Sequence, residues 1–206
     1  MKHYITEAKI EDIYMLTSLH LNNYHSNELS MQLGENFISE LYRLCIEQAN
    51  VSILILKRDI QIQGVSVVFF HFSEFEKIFM RRMIFRLSNR LLNLLLERKW
   101  KKFLSLIRTA ISLNFKKYVP KRIYNYHIGS LILDKQQRSD PMTLVLFERM
   151  FTKNIEILQS KATDGIWGSC YESNTPSFNF MKGKGLNENI LCNAYPERVY
   201  VNIKRF

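Results

Sequence analysis

Glycine and proline are scarce in this sequence, seven and four among 206 residues, and no segment repeats or collapses to a few residue types. Collagen-like chains, low-complexity disorder and solenoid arrays are thereby excluded. The three cysteines, Cys45, Cys170 and Cys192, are odd in number and far apart, which leaves neither a disulfide framework nor a CxxC metal knuckle. They read as buried thiols in a reducing compartment. None of the five histidines (His3, His20, His25, His71, His127) stands in an HExxH or comparable spacing, so no metal is expected. No run of about 18 apolar residues exists for a membrane span, and the opening MKHYITEAKIEDIYM lacks the apolar core of a signal peptide. A cytoplasmic protein is the expectation.

What is present is enough for a sizeable core. Hydrophobic residues make up 47% of the chain, and a single domain over 1–206 is expected. The net charge of +10 is unevenly placed: residues 76–122 hold 14 Lys/Arg against two acids, Glu76 and Glu97, leaving 15 basic and 17 acidic residues elsewhere. The basicity belongs to one segment.

Periodicity divides the chain into elements. YITEAKIEDIYMLTSL reads as a short strand and a helix from about Lys9, with Ile10, Ile13, Leu16 and Leu19 on one side. GENFISELYRLCIEQA repeats the helical pattern through Phe37, Leu41, Leu44 and Cys45. SILILKRDIQIQGVSVVFFHF is β-branched and aromatic around Lys57-Arg58-Asp59, the pattern of a hairpin of buried strands. From Phe79 to about Phe115 the period is helical again. Met80, Ile84, Leu87, Leu91 and Leu95 are expected on one face and Arg82, Arg86 and Arg90 on another. A second helix from about Trp100 carries Phe103, Leu104, Ile107 and Ile111, and Pro120 closes the segment. YNYHIGSLIL then reads as a strand, MTLVLFERMFTKNIEILQSK as a helix, GIWGSCY as a strand and TPSFNFMK as a short helix. NILCNAY and RVYVNIKRF form a last strand pair. This order predicts an α/β (α+β) fold, a mixed central β-sheet with helices packed on both faces.

The turn Arg138-Ser139-Asp140-Pro141-Met142-Thr143 joins a buried strand to an amphipathic helix, a layout that suits anion binding by helix-start amides. It is better written as an ordinary helix start, with Asp140 as N-cap and Pro141 at the first helical position. MKGKG, Met181 to Gly185, lacks the P-loop spacing and reads as a turn after a short helix.

Several features, in order, resemble the GNAT superfamily of N-acetyltransferases. They are the strand Leu131-Ile132-Leu133, the turn from Gln137-Arg138, its following helix, and NTPSFNFMKGKGL. The family's turn is Q/R-x-x-G-x-G/A and its later segment N-x-x-A-x-x-F-Y-E-K-x-G-F. Asn174, Ser177, Phe180 and Gly185-Leu186 stand at corresponding places. IEDI (Ile10 to Ile13) and IQGV (Ile62 to Val65) resemble the family's first helix and third strand. The resemblance covers the chain outside roughly residues 76–122, a basic helical insertion before the cofactor-binding strand.

It implies acetyl-CoA (acyl-CoA) as co-substrate, with no metal, bound by Leu131, Ile132, Leu133, Arg138, Ser139, Met142, Thr143, Asn174 and Phe180. The departures fall at the chemistry. Pro141 and Thr143 replace the two glycine-type positions, and proline has no N–H to offer a phosphate. Met181 replaces the Tyr that protonates the leaving thiolate. His127, near where several relatives keep a base, and Tyr126 are the expected catalytic residues. Tyr124 and Tyr171 are further proton donors to consider.

Two functions follow. One is N-acyl transfer to a small-molecule primary amine, such as an amino sugar or another anionic acceptor; the other is a non-enzymatic GNAT-fold module that binds a membrane surface or a partner protein through its basic helical insertion. For the insertion, a solvated helical pair, peripheral membrane contact through 76–122 and nonspecific nucleic-acid attraction all suit the charge. No nucleic-acid motif accompanies it.

Overall fold

A computed structural model describes residues 2–24, 28–112, 115–194 and 197–206. Seven strands, β1 His3–Glu7, β2 Val51–Arg58, β3 Gln61–Phe69, β4 His127–Leu133, β5 Gly165–Tyr171, β6 Glu188–Cys192 and β7 Val199–Arg205, form one mixed sheet in the order β1-β2-β3-β4-β5-β7-β6. The β4–β5 pair alone is parallel.

On one face of the sheet lie α1 (Ile13–Asn23, entered through a 3-10 turn at Ile10–Asp12), α2 (Leu29–Leu33) and α3 (Glu35–Glu47). Leu16, Ile38 and Leu44 are buried against Ile55, Val65 and Val67 there. The other face is covered by α7 (Pro141–Gln159), whose Phe151, Ile155 and Leu158 pack on Val68, Ile128 and Ile166. Before β4 comes the insertion: α4 (Phe72–Leu96), α5 (Trp100–Ser112) and the short α6 (Lys121–Tyr124). Between β5 and β6 lies α8 (Thr175–Gly183).

The expected α/β architecture is present, with three local differences. Ile10 is exposed, because the first turn is a 3-10 turn lying outside the helix face that Ile13, Leu16 and Leu19 bury. In α4 the buried positions are Phe75, Met83 and Leu94, whereas Met80 and Ile84 face outward. The helix starts seven residues earlier than Phe79, docks through Phe75 and Phe79 on Phe69 and Phe37, and only later meets α5, so no single stripe runs its length. In α5, Leu106 is buried and Leu104 is not. The side chains of Arg86, Leu87, Arg90 and Ile111, and His25, lie outside the described residues. All three thiols are buried and unpaired.

Two buried polar contacts fix the layers. Asn154 on α7 donates to Ser66 O at 2.8 Å and to Ser66 Oγ at 2.9 Å, and accepts from Ser52 Oγ at 3.1 Å. Beneath α1, Lys57 Nζ meets Asp12 Oδ1 at 2.6 Å, and Asp12 Oδ2 accepts from the Lys9 N–H.

Candidate functional site

The parallel ladder between β4 and β5 ends almost as it begins. His127 pairs with Trp167 and Ile128 with Gly168, and beyond them the two strands have no paired residues. On its other edge β4 bulges: Val68 pairs with Ile128 but Ser66 with Leu131, so Gly129 and Ser130 together oppose Val67. Gly129 is required by packing, since a Cβ there would stand 2.4 Å from Phe69 Cε2. Past this point the β5-facing edge of β4 has no strand to pair with, and the cleft opens along it.

A cavity of about 760 Å³ runs along Leu131, Ile132 and Leu133, walled by Phe147 and Leu144 of α7 and by Pro176, Ser177 and Phe180 of α8. Its mouth carries Lys135 and Arg138. A second cavity of about 260 Å³ adjoins it through Tyr24, Glu28, Leu131, Asn174 and Ser177, and reaches Gly129, Ser169, Tyr171 and Met181 between the diverging strands. The first is long and largely apolar. The smaller one mixes apolar side chains such as Ile128, Leu131 and Met181 with the hydroxyls of Tyr24, Ser169 and Tyr171, and shares Glu28 with the larger.

The turn before α7 is built as a self-sufficient helix start. Asp140 accepts the Met142 N–H at 3.2 Å and the Thr143 hydroxyl at 2.6 Å, while Pro141 occupies the first helical position. The Thr143 hydroxyl first, then the Met142 and Thr143 N–H groups, hold the Asp140 carboxyl below its ordinary value. Arg138 bends back, its Nε and Nη2 each 3.4 Å from Leu133 O. Asn23 on α1 accepts the Lys135 N–H at 2.8 Å and ties the turn to the opposite face.

Of the residues expected to hold an acyl-CoA, Leu131, Ile132, Leu133, Arg138, Asn174 and Phe180 line the larger cavity. Asn174 also caps α8 through the Ser177 N–H. Ser139 and Met142 are exposed outside the cavity walls, and Thr143 is buried against Gln63 and Asp140. His127 and Tyr126 line neither cavity. The His127 ring is stacked 3.9 Å from Trp167 and packed between Phe69 and Phe72. Burial pushes it down to about 3, and its Nδ1 has no hydrogen-bond partner. Tyr126 sits 6.4 Å from the His71 ring, and the Tyr124 hydroxyl turns to Glu76 Oε1 at 3.4 Å.

Tyr171 is different, because it reaches the smaller cavity from the carboxyl end of β5. Burial first, then the charges of Glu28 and Glu197, raise its hydroxyl above the ordinary tyrosine value, which keeps the proton on at neutral pH. Across the cavity Tyr24 is raised likewise by burial and by Glu28, against a hydrogen bond with Ser130. Tyr24 stacks on His20 at 4.2 Å, and His20 contacts Ser30 Oγ at 2.9 Å and Tyr42 Oη at 3.2 Å. Glu28, Tyr24 and Lys135 escaped sequence reasoning. Only a position at a strand end marked Tyr171, and Lys135 was one cation among many. Among the described residues no group of His, Cys, Asp or Glu is placed to hold a metal ion.

This sheet order, a single parallel pair that splays beside a bulge, and a helix on the open edge together define the GNAT acetyltransferase fold, and the chain has it. Over 99% of this chain and 94% of theirs, it superposes on the ribosomal-protein-S18-alanine N-acetyltransferase of Escherichia coli with a TM-score of 0.57 at 7% identity. A GNAT-family acetyltransferase of Streptococcus pneumoniae gives 0.55 at 12% identity over 100% of both chains. The PaiA N-acetyltransferase of Thermoplasma acidophilum, solved in complex with coenzyme A, gives 0.50 at 10% identity, also over 100% of both. No protein-family model and no curated sequence matches the chain.

Proposed function

We propose that the protein is an acyl-CoA-dependent N-acyltransferase that acts on a small primary amine. The observation that carries this is the cleft between β4 and β5, an apolar channel with cations at its mouth that meets a smaller pocket with hydroxyls and a carboxylate in its wall at the β4 bulge. A pantetheine arm suits the channel beside Leu131–Leu133, and Lys135 and Arg138 suit the phosphates at its mouth. The coenzyme A complex of the Thermoplasma relative points to the same class of ligand.

The co-substrate brings an activated thioester. The chain's part is to align it with the amine and to move protons. A β4 amide on the edge that β5 leaves beyond Ile128 suits polarisation of the carbonyl. Glu28 holds the ammonium form of the acceptor and takes its proton, and the amine nitrogen then forms the C–N bond as the C–S bond breaks. Tyr171, protonated at neutral pH, gives its proton to the departing thiolate and regains one from the nitrogen of the new amide, and so takes over the work of the missing tyrosine at Met181.

One observation favours a second reading, a GNAT-fold module without catalysis. Asp140 engages the helix-start amides that would otherwise meet a pyrophosphate, and its charge opposes one. Titration calorimetry with acetyl-CoA separates the two. Saturable binding supports the enzyme, and no heat at millimolar ligand leaves the module.

A further inference from the structure

The α4–α5 hairpin presents an apolar surface that nothing among the described residues covers. Phe85, Leu92, Leu96 and Trp100 are 77, 53, 72 and 58% exposed. On α4 the spacing of Phe85, Leu92 and Leu96, seven and then four residues, places them on one stripe about 16 Å long. It lies away from Met83 and Leu94, which are buried. Trp100 opens α5 directly beyond the turn at Glu97–Lys99. Exposed cations flank the group: Arg81 on α4, Arg98 in the turn and Lys101 on α5, while Lys99 in the turn is ion-paired with Glu97 at 2.6 Å.

We propose that this hairpin docks on an anionic lipid surface, its apolar stripe entering the headgroup–acyl boundary and its cations meeting the lipid charge. Single exposed apolar residues are ordinary, but a set of them on one stripe with a mainly positive rim, in which Glu97 is ion-paired to Lys99, marks an interaction surface. Charge selects the occupant. Two copies of this face would bring like charges together, since residues 76–122 hold 14 Lys/Arg and two acids. A nucleic acid would satisfy the cations and leave the leucine stripe in water, whereas an anionic bilayer satisfies both. Contact is peripheral, because no helix among the described residues is long and apolar enough to cross a membrane. α5 also packs against α2, next to the Tyr24 and Glu28 wall of the cleft, so docking holds the cleft beside the lipid. The inference stands whether or not the cleft is catalytic.

Vesicle flotation tests it, with phosphatidylcholine vesicles containing or lacking phosphatidylserine. The protein is expected to float with the anionic vesicles at low salt, to be released by high salt, and not to float with neutral ones. Trp100 emission should shift to the blue on binding; the chain's second tryptophan, Trp167, is fully buried and serves as a constant background. The triple variant Phe85→Ser, Leu96→Ser, Trp100→Ser and the pair Arg98→Glu, Lys101→Glu should each bind roughly tenfold more weakly or worse. Unchanged thermal melting is expected, because all five side chains are exposed. Failure to float at low salt, or flotation indifferent to both variants, overturns the proposal. So does concentration-dependent dimerisation lost in the triple variant, or binding to nucleic acid without binding to vesicles.

Discussion

The Thr143 hydroxyl donates to Asp140 Oδ2 at 2.6 Å, and this contact holds a carboxylate over the amides that start α7. Asp140→Asn keeps a good N-cap and removes the charge. Acetyl-CoA should then bind roughly fivefold tighter or more, the effect of one unit charge near a phosphate. Pro141→Gly should act in the same direction by restoring an N–H. Calorimetric affinities equal to wild type in both variants would show that Lys135 and Arg138 hold the phosphates without the helix start.

The proposed mechanism divides the proton work in the smaller cavity between Tyr171 and Glu28. Tyr171→Phe should lower kcat by about 10²-fold, the size of a lost general acid, with acetyl-CoA affinity unchanged. Glu28→Gln should raise the KM for the amine and lower kcat/KM. Equal losses in His127→Phe and Tyr171→Phe would instead point to a structural origin for both.

Two buried histidines predict acid sensitivity. Burial depresses His20 to about 4 and His127 to about 3, against about 6.5 in the unfolded chain. Between about pH 6.5 and 4 the unfolded state therefore binds more protons, and stability falls as pH falls by roughly 1.4 kcal/mol per unit for each histidine. Their contribution is complete above about pH 6.5. Urea denaturation at pH 7 and pH 5 should show the drop, and His127→Phe should reduce it. Identical midpoints at the two pH values would contradict the burial of both rings.

Asn154 fastens α7 to the sheet and thereby sets where the helix start meets β4. Asn154→Leu removes three hydrogen bonds and strands the Ser66 carbonyl and the Ser52 hydroxyl. A loss of about 3 kcal/mol is expected in guanidinium unfolding, the usual size for buried polar groups left unpaired. A loss under about 1 kcal/mol would mean that water replaces the amide there.

Much of the architecture was legible along the chain. β-branched runs around Asp59 gave the β2–β3 hairpin, and Asp140-Pro141 marked the start of α7. These are local signals, because a capping side chain acts within its own turn and periodicity reports one element's own faces. α4 was misread in its buried face: the sheet takes its first turns and α5 its later ones, and no single period records two partners. α2, five residues long, has too few turns to show a period at all.

The candidate site was legible on its β4 side only. Leu131 to Leu133, Arg138, Asn174 and Phe180, which the GNAT resemblance implies, line the larger cavity, whereas His127, implied by the same resemblance, lies packed against Trp167. By itself the sequence determined the elements, their order and the capped turn, all of which depend on neighbours within a few residues. Only the tertiary structure decided that Glu28, Tyr24 and Tyr171 share a cavity. Their meeting depends on β4 and β5 parting after Ile128 and Gly168, a consequence of sheet pairing and the β4 bulge that no local pattern encodes.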